Sequence, residues 1–131
     1  MIKFFTKYKI IFFLSNFILM LDYLFPGSLL GCIIFNNCKI QPQITANFLI
    51  STNHLYSFLI LSFIGFCTYR NSKYSNVLTK YLLTLSIILE VMHYFIPNRS
   101  FEYQDLFGNL AGVIIIIILF NLFKKYEEIK H

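Results

Sequence analysis

Charged residues are scarce in this chain, and the motifs of several soluble enzyme classes are absent from it. Only 13% of its 131 residues are Asp, Glu, Lys or Arg, which is about half the charged share of a typical soluble protein. No C-x-x-C pair, phosphate-binding glycine loop or nucleophile elbow occurs in the sequence. The sequence therefore predicts no metal site and no cofactor, and it carries no recognisable catalytic motif.

The apolar content, in contrast, is high for so short a chain. Hydrophobic residues make up 57% of the sequence. A small soluble fold cannot bury that much apolar surface, because a large part of it must face water. The surplus must face lipid, so we predict a single all-α transmembrane domain that covers residues 1–131.

Four stretches approach the length of about 20 apolar residues that a helix needs to cross a hydrocarbon layer about 30 Å thick. We predict transmembrane helices at about residues 10–25, 52–69, 77–96 and 105–123, and therefore a four-helix bundle. Pro26 and Pro97 end the first and third helices, and Lys124 ends the fourth. The apolar segment Leu29–Phe35 is too short to span alone; it either lies in the membrane interface or extends the first helix beyond a proline kink.

The distribution of basic residues predicts the orientation of the bundle. If the N-terminus is cytoplasmic, nine of the eleven Lys and Arg residues lie on the cytoplasmic side, and only Lys39 and Arg99 lie outside. An excess of Lys and Arg in short loops marks the cytoplasmic side, so we predict that both termini are cytoplasmic. The nine are Lys3, Lys7, Lys9, Arg70, Lys73, Lys80, Lys124, Lys125 and Lys130. Because they form no single patch, we expect no nucleic-acid binding.

The three cysteines show no metal-binding spacing. Cys67 falls within an apolar run, where we expect it to pack as a small apolar residue. Cys32 and Cys38 fall on the outer side, where they could pair if that compartment is oxidising.

The N-terminus also loosely resembles a bacterial lipoprotein signal, with lysines, an apolar run and then Leu30, Gly31 and Cys32. Asp22 and Pro26 interrupt the apolar region, so we expect the first helix to remain uncleaved.

The Asp, Glu and His residues inside the predicted spans all lie toward the outer side, although charged groups in a bilayer are costly and tend to be paired or functional. Glu90 and His93 are three residues apart and share a helix face. Glu90 should lie roughly 10 Å below the outer end of its helix, because each residue rises about 1.5 Å. Arg99 is the obvious partner for an ionised Glu90; without a partner, Glu90 would be protonated.

Several of these residues also have purely structural interpretations. Asp105 could cap the fourth helix, Asn109 could form an interhelical hydrogen bond, and His54 could begin a helix at the interface. Gly108 and Gly112 have the small-x-x-x-small spacing that lets a neighbouring helix approach closely. For the two glycines, we predict this helix-packing role.

The segment from Glu90 to Gly112 resembles the VanZ-like family of small bacterial membrane proteins. The family pattern is a Glu, commonly a Gln three residues later, then Pro-x-Arg and Asp-x-x-x-Asn-x-x-Gly. His54, followed by Phe58, looks like the family's His at the start of its second helix, although His93 stands where Gln is usual and the Asp-Lys before the His is absent. The matching positions are Glu90, Pro97, Arg99, Asp105, Asn109 and Gly112.

The resemblance implies a multi-pass protein of the bacterial inner membrane, in a family associated with lowered susceptibility to lipoglycopeptides such as teicoplanin. Our first hypothesis is an outward-facing polar pocket that binds an anionic membrane lipid or a lipid-linked envelope precursor. The pocket would consist of His54, Glu90, Arg99, Asp105 and Asn109.

Two alternatives to this pocket remain open. The first is a membrane enzyme that uses Glu90 or Asp105 as acid or base on a lipid-linked phosphate, with His54 or His93 assisting. The second is a non-catalytic scaffold in which the polar residues only lock the bundle. The sequence also leaves the oligomeric state open.

Overall fold

A computed structural model describes residues 2–69 and 72–130 of the chain, with side chains from residue 8 onward. The described residues form helices and no strands, which confirms the all-α class. Arg70, one of the basic residues predicted to be cytoplasmic, lies outside the described residues. The helices are α1 (Ile2–Leu24), α2 (Leu29–Phe35), α3 (Thr52–Tyr69), α4 (Ser75–Met92) and α5 (Tyr103–Lys130).

Helix α4 ends at Met92, four residues before the predicted end at residue 96. The backbone N–H of Tyr94 donates to the carbonyl of Val91 (3.1 Å), and that of Phe95 donates to the carbonyl of Met92 (2.9 Å). These bonds span three residues instead of four, which is the tighter 3₁₀ pattern common at helix ends. Pro97 adds to the effect because it disfavours the helical conformation in the residue before it.

Helix α5 is longer than predicted at both ends. It begins at Tyr103 and continues to Lys130, beyond the two lysines at which the predicted helix stops. Lys and Glu are good helix formers, so the charged tail extends the helix even though it is not apolar enough to lie in lipid.

The short helix α2 does not continue the direction of α1. The two helices are bent by 87° relative to each other. Gly27 at the bend has φ 100°, a conformation that favours glycine. Ser28 then caps α2, because its Oγ accepts a hydrogen bond from the backbone N–H of Gly31 (2.9 Å). A disulfide between Cys32 and Cys38 ties α2 to the loop that follows it.

Helix α3 occupies the centre of the bundle, where it packs against α1, α4 and α5. Its closest partner is α5, which presents Gly108 and Gly112 to it. A Cβ atom added to Gly108 would lie 2.5 Å from the Ser51 carbonyl oxygen, and one added to Gly112 would lie 2.6 Å from that of Leu55. The backbones approach so closely that only glycine fits at either position.

Within the described part of the chain, two helices, α4 and α5, are long and apolar enough to cross a membrane. A third candidate is the pair Tyr8–Leu24 and Leu29–Phe35, if this bent pair is one span. Only 33% of the spanning window of α4 and 28% of that of α5 are buried inside the bundle, so most of their apolar surface is available to lipid. The chain is therefore a helical protein with two or three candidate membrane spans. Helix α3 is not among them, and its first turn, with Thr52, Asn53 and His54, is polar.

Candidate functional site

Polar residues from four helices meet at one end of the bundle. The C-terminal ends of α1 and α4 lie there together with the N-terminal ends of α3 and α5, because the four helices alternate in direction. The polar cluster, as we call it, combines buried side chains with the half-buried Asp105. Its members are Tyr23 of α1, His54 of α3, Glu90 and His93 at the end of α4, and Asp105 and Asn109 of α5.

Three side chains from three helices form the deepest part of the polar cluster. The Tyr23 hydroxyl donates to Asn109 Oδ1 (2.6 Å) and lies 3.0 Å from His54 Nδ1. His54 Nδ1 also lies 3.1 Å from Asn109 Oδ1. The Tyr23 ring packs edge-on against the His54 ring, with 5.0 Å between the ring centroids. The position of the His54 imidazole is thus set by both neighbours.

The amide of Asn109 determines which nitrogen of His54 carries a proton. Asn109 Nδ2 donates to the carbonyl oxygen of Ser86 (3.2 Å), so Oδ1 is the atom that faces Tyr23 and His54. An amide oxygen can only accept hydrogen bonds, and the Tyr23 hydroxyl already donates to it. His54 Nδ1 must therefore donate its own hydrogen to Oδ1. In a neutral ring, Nε2 then carries no hydrogen.

Asp105 faces that second nitrogen. Its Oδ2 lies 3.4 Å from His54 Nε2, and its side chain is 20% exposed. Asp105 lies in the first turn of α5, where a carboxylate also complements the helix dipole. The capping role considered above is thus compatible with a role in the polar cluster.

Glu90 is completely buried, and only one of its carboxylate oxygens is hydrogen-bonded. Oε1 accepts from the backbone N–H of Glu102 (3.0 Å) and lies 3.3 Å from His93 Nδ1. Oε2 has no hydrogen-bond partner within the described part of the chain, and it lies 3.9 Å from His54 Nδ1. Burial without a partner is costly for a carboxylate oxygen.

His93 connects the end of α4 to α1. Its Nε2 lies 3.1 Å from the carbonyl oxygen of Tyr23, which can only accept, so Nε2 carries a hydrogen. The His93 ring also stacks on the Tyr23 ring, with 5.8 Å between centroids. His93 therefore positions both Tyr23 and Glu90.

The expected pairing of Arg99 with Glu90 is wrong. Arg99 Nε donates to the carbonyl oxygen of Phe25 (3.2 Å) and Nη2 donates to that of Asp22 (2.8 Å). The chain turns at Asn98, which has φ 60°, and the guanidinium lies over the C-terminal end of α1. The last carbonyl oxygens of a helix have no hydrogen-bond partner within the helix, so those of α1 can accept hydrogen bonds from the guanidinium.

A cavity of about 240 Å³ lies beside the polar cluster. Asp22, Tyr23, His54 and Arg99 are among the residues that line it. The predicted pocket residues are thus divided between two places. His54, Glu90, Asp105 and Asn109 come together, while Arg99 donates to the end of α1 and lines the cavity together with His54.

Sequence reasoning missed Tyr23 as a member of the site. The chain contains nine tyrosines, so an aromatic residue in an apolar run gives little signal. The position of Tyr23 next to Asp22, at the outer end of the first helix, is the one sequence feature that could have indicated it.

Comparisons with known proteins find no matching family model, no matching curated protein and no matching solved structure. Fold and composition define the class: a helical protein that could cross a membrane two or three times, with a buried polar cluster at one end.

Proposed function

We propose that this chain is a VanZ-like integral membrane protein of the bacterial cell envelope, with four transmembrane helices and both termini in the cytoplasm. In this proposal α3 crosses the membrane inside the bundle, where its polar first turn is shielded from lipid by α1, α4 and α5. The alternation of helix directions supports this topology. The end of the bundle opposite to the polar cluster carries Lys9, Lys73 and Lys80. Because Lys and Arg mark the cytoplasmic side of a membrane protein, this end would be cytoplasmic.

The polar cluster and its cavity would then face the outside and bind the anionic headgroup of a membrane lipid or a lipid-linked precursor. The observation that carries this proposal is Arg99 at the edge of the cavity. A guanidinium has five N–H donors, and two of them donate to the carbonyls of α1. The others remain for a phosphate, which a planar guanidinium fork binds well.

Lipid binding by the purified chain in nanodiscs tests the proposal. We expect phosphatidylglycerol or a polyprenyl phosphate to bind in preference to phosphatidylcholine. Arg99→Gln should weaken this binding about tenfold or more, because it removes a charge-assisted hydrogen bond. Lys39→Gln is the matched control, since Lys39 is the other basic residue on the proposed outer side and does not line the cavity. Equal binding by the two variants would contradict the proposal.

A stability measurement separates a binding role from the scaffold alternative. If Glu90→Gln and Asp105→Asn accumulate in the membrane like the wild type but bind less lipid, the polar cluster acts as a site. If neither variant accumulates, the polar cluster serves to lock the bundle and the binding proposal fails. Loss of teicoplanin tolerance in cells that carry the Arg99→Gln protein would link the site to glycopeptide susceptibility.

A membrane enzyme acting on a lipid-linked phosphate is the second candidate. It is favoured by one contact, in which His54 Nε2 lies 3.4 Å from Asp105 Oδ2, because a histidine beside a carboxylate can act in acid–base catalysis. Incubation of the purified protein with a polyprenyl diphosphate, with and without divalent metal, should then release phosphate. The Asp105→Asn protein should release none.

A further inference from the structure

Three ionisable side chains of the polar cluster converge although they come from three different helices. His54, Glu90 and Asp105 each offer one nitrogen or oxygen atom, and these atoms all lie within 4.8 Å of one another. Two carboxylates and one imidazole in so small a space bring together the donor types that bind divalent metal ions.

The hydrogen-bond assignment leaves a gap, with no hydrogen atom between His54 Nε2 and Asp105 Oδ2. Since Nδ1 donates to Asn109, a neutral imidazole presents the lone pair of Nε2 to the Asp105 carboxylate at 3.4 Å. Two acceptors at this distance repel each other unless a cation lies between them. The gap is filled either by a proton shared between His54 and Asp105 or by a metal ion.

Glu90 gives independent evidence for a ligand at this place. Its Oε2 is fully buried, lacks a hydrogen-bond partner among the described residues and points toward His54. A proton at this place would be shared between His54 Nε2 and Asp105 only. Oε2 of Glu90 would then still lack a hydrogen-bond partner among the described residues. A metal ion would satisfy Glu90 and Asp105 together.

We propose that His54 Nε2, Asp105 Oδ2 and Glu90 Oε2 bind a divalent first-row transition metal ion, Zn²⁺ or Mn²⁺. Ligands about 2.1 Å from a tetrahedral zinc ion lie about 3.4 Å apart, which is the distance that already separates the His54 and Asp105 atoms. Glu90 Oε2 lies 3.9 Å from the other ring nitrogen, Nδ1, so its carboxylate must move toward Nε2 to become the third ligand. The imidazole disfavours Mg²⁺ and Ca²⁺, which prefer oxygen ligands.

The residues around the three ligands match the usual surroundings of a metal-bound histidine. A ligating imidazole normally donates its other N–H to an oxygen acceptor, which fixes the ring. Here that acceptor is Asn109 Oδ1, which also accepts from the Tyr23 hydroxyl, while Nδ2 of the same amide donates to the carbonyl oxygen of Ser86. Tyr23 and Asn109 are therefore positioning residues for the metal site.

Three protein ligands leave at least one coordination position open. Because His54 also lines the cavity, the open position gives the ion access to an oxygen of a bound phosphate. This role rests on the function proposed above, whereas the metal site itself does not. Metal binding without lipid preference would leave the site standing and remove only the bridging role.

The test uses the untagged full chain in detergent micelles. After dialysis against chelator, Zn²⁺ and Mn²⁺ are titrated by calorimetry, and Co²⁺ is added as a spectroscopic substitute for zinc. We expect one ion per chain and a four- or five-coordinate Co²⁺ spectrum with nitrogen and oxygen ligands. A wild-type protein that binds no more Zn²⁺ and no more Mn²⁺ than the Asp105→Asn protein would overturn the proposal.

Variants assign the ligands. His54→Gln, Glu90→Gln and Asp105→Asn should each weaken metal binding by more than about tenfold, and Tyr23→Phe by about tenfold, as expected when an outer hydrogen bond of a metal ligand is lost. The matched control is Glu102→Gln, which removes an exposed carboxylate at the same end of the bundle. An equal loss in the control would mean non-specific binding and refute the site.

A variant that fails to fold would not decide the question, so a second readout uses the wild-type protein alone. We expect Zn²⁺ or Mn²⁺ to raise its unfolding temperature, whereas equimolar Mg²⁺ has no such effect. An octahedral, all-oxygen Co²⁺ spectrum together with no thermal shift would exclude His54 as a ligand and overturn the proposal.

Discussion

Tyr23 contacts three other members of the polar cluster. Its hydroxyl contacts Asn109 and His54, and its ring and carbonyl contact His93. The residue is only 4% exposed, so water cannot replace a bond that is lost. The three contacts therefore depend on a residue whose sequence context shows little beyond an apolar helix.

Replacement of Tyr23 by Phe should destabilise the protein by about 1 to 2 kcal/mol, because the Asn109 oxygen loses its shortest hydrogen bond in a buried site. Thermal unfolding followed by circular dichroism in detergent measures the change. Tyr94→Phe is the matched control, since Tyr94 is 67% exposed and lies at the same end of the bundle. A smaller effect at Tyr23 than at Tyr94 would contradict the hydrogen-bond assignment.

At the residue scale, sequence spacing predicted neighbours within a helix far better than contacts between helices. Glu90 and His93 lie three residues apart and indeed contact each other, because helical periodicity fixes which side chains share a face. The contact of Arg99 with α1 was not predictable in this way. It depends on the turn at Asn98 and on carbonyls 74 and 77 residues earlier in the chain, which local periodicity does not describe.

At the scale of elements, the packing of α5 on α3 depends on the absence of side chains at two positions. A methyl group on Gly112 would meet backbone atoms of α3, at 2.6 Å from Leu55 O and 2.8 Å from Leu59 N. A methyl group on Gly65 would meet a flexible ring instead, with Phe12 Cε2 at 2.9 Å. The ring can rotate, whereas the backbone of α3 cannot move without shifting the whole helix.

Gly112→Ala should therefore lower the unfolding temperature, while Gly65→Ala should leave it nearly unchanged. Both substitutions favour helix formation by up to about 1 kcal/mol, so the difference between them reports packing alone. The comparison is made by thermal unfolding of both variants in the same detergent. Equal stability of the two variants would mean that α3 and α5 are not in close backbone contact.

The disulfide that ties α2 to the loop after it gives a second prediction at this scale. In a Cys67→Ala background, Cys32 and Cys38 should react with maleimide only after reduction, because their sulfurs are bonded to each other. Gel-shift labelling with a maleimide polymer measures the result. Labelling of both cysteines before reduction would show that the bridge does not form in the cell.

Helix bounds could be predicted best where composition changes sharply. The bounds of α3 agree with the prediction, since polar residues flank its apolar run on both sides. The sharp bend before α2 was not predictable, because Pro26 and Gly27 indicate a break but not the angle that follows it.

At the scale of the whole molecule, the distribution of basic residues predicts which end of the bundle faces outward. A C-terminal alkaline phosphatase fusion should be inactive and a C-terminal green fluorescent protein fusion should fluoresce, because phosphatase folds only outside the cytoplasm. Fusions after residue 45, in the loop between α2 and α3, should show the reverse. An active phosphatase at the C-terminus would contradict the topology and, with it, the outward-facing pocket.

The hydrogen bonds between Arg99 and the end of α1 also affect the order in which the bundle can assemble. Helix α1 has its final carbonyls bound by a side chain that is made 74 residues after Phe25. Until that later segment has been synthesised, the C-terminal end of α1 lacks these partners. Helix α1 is thus secured only after α2, α3 and α4 have been made, although it precedes them in the chain.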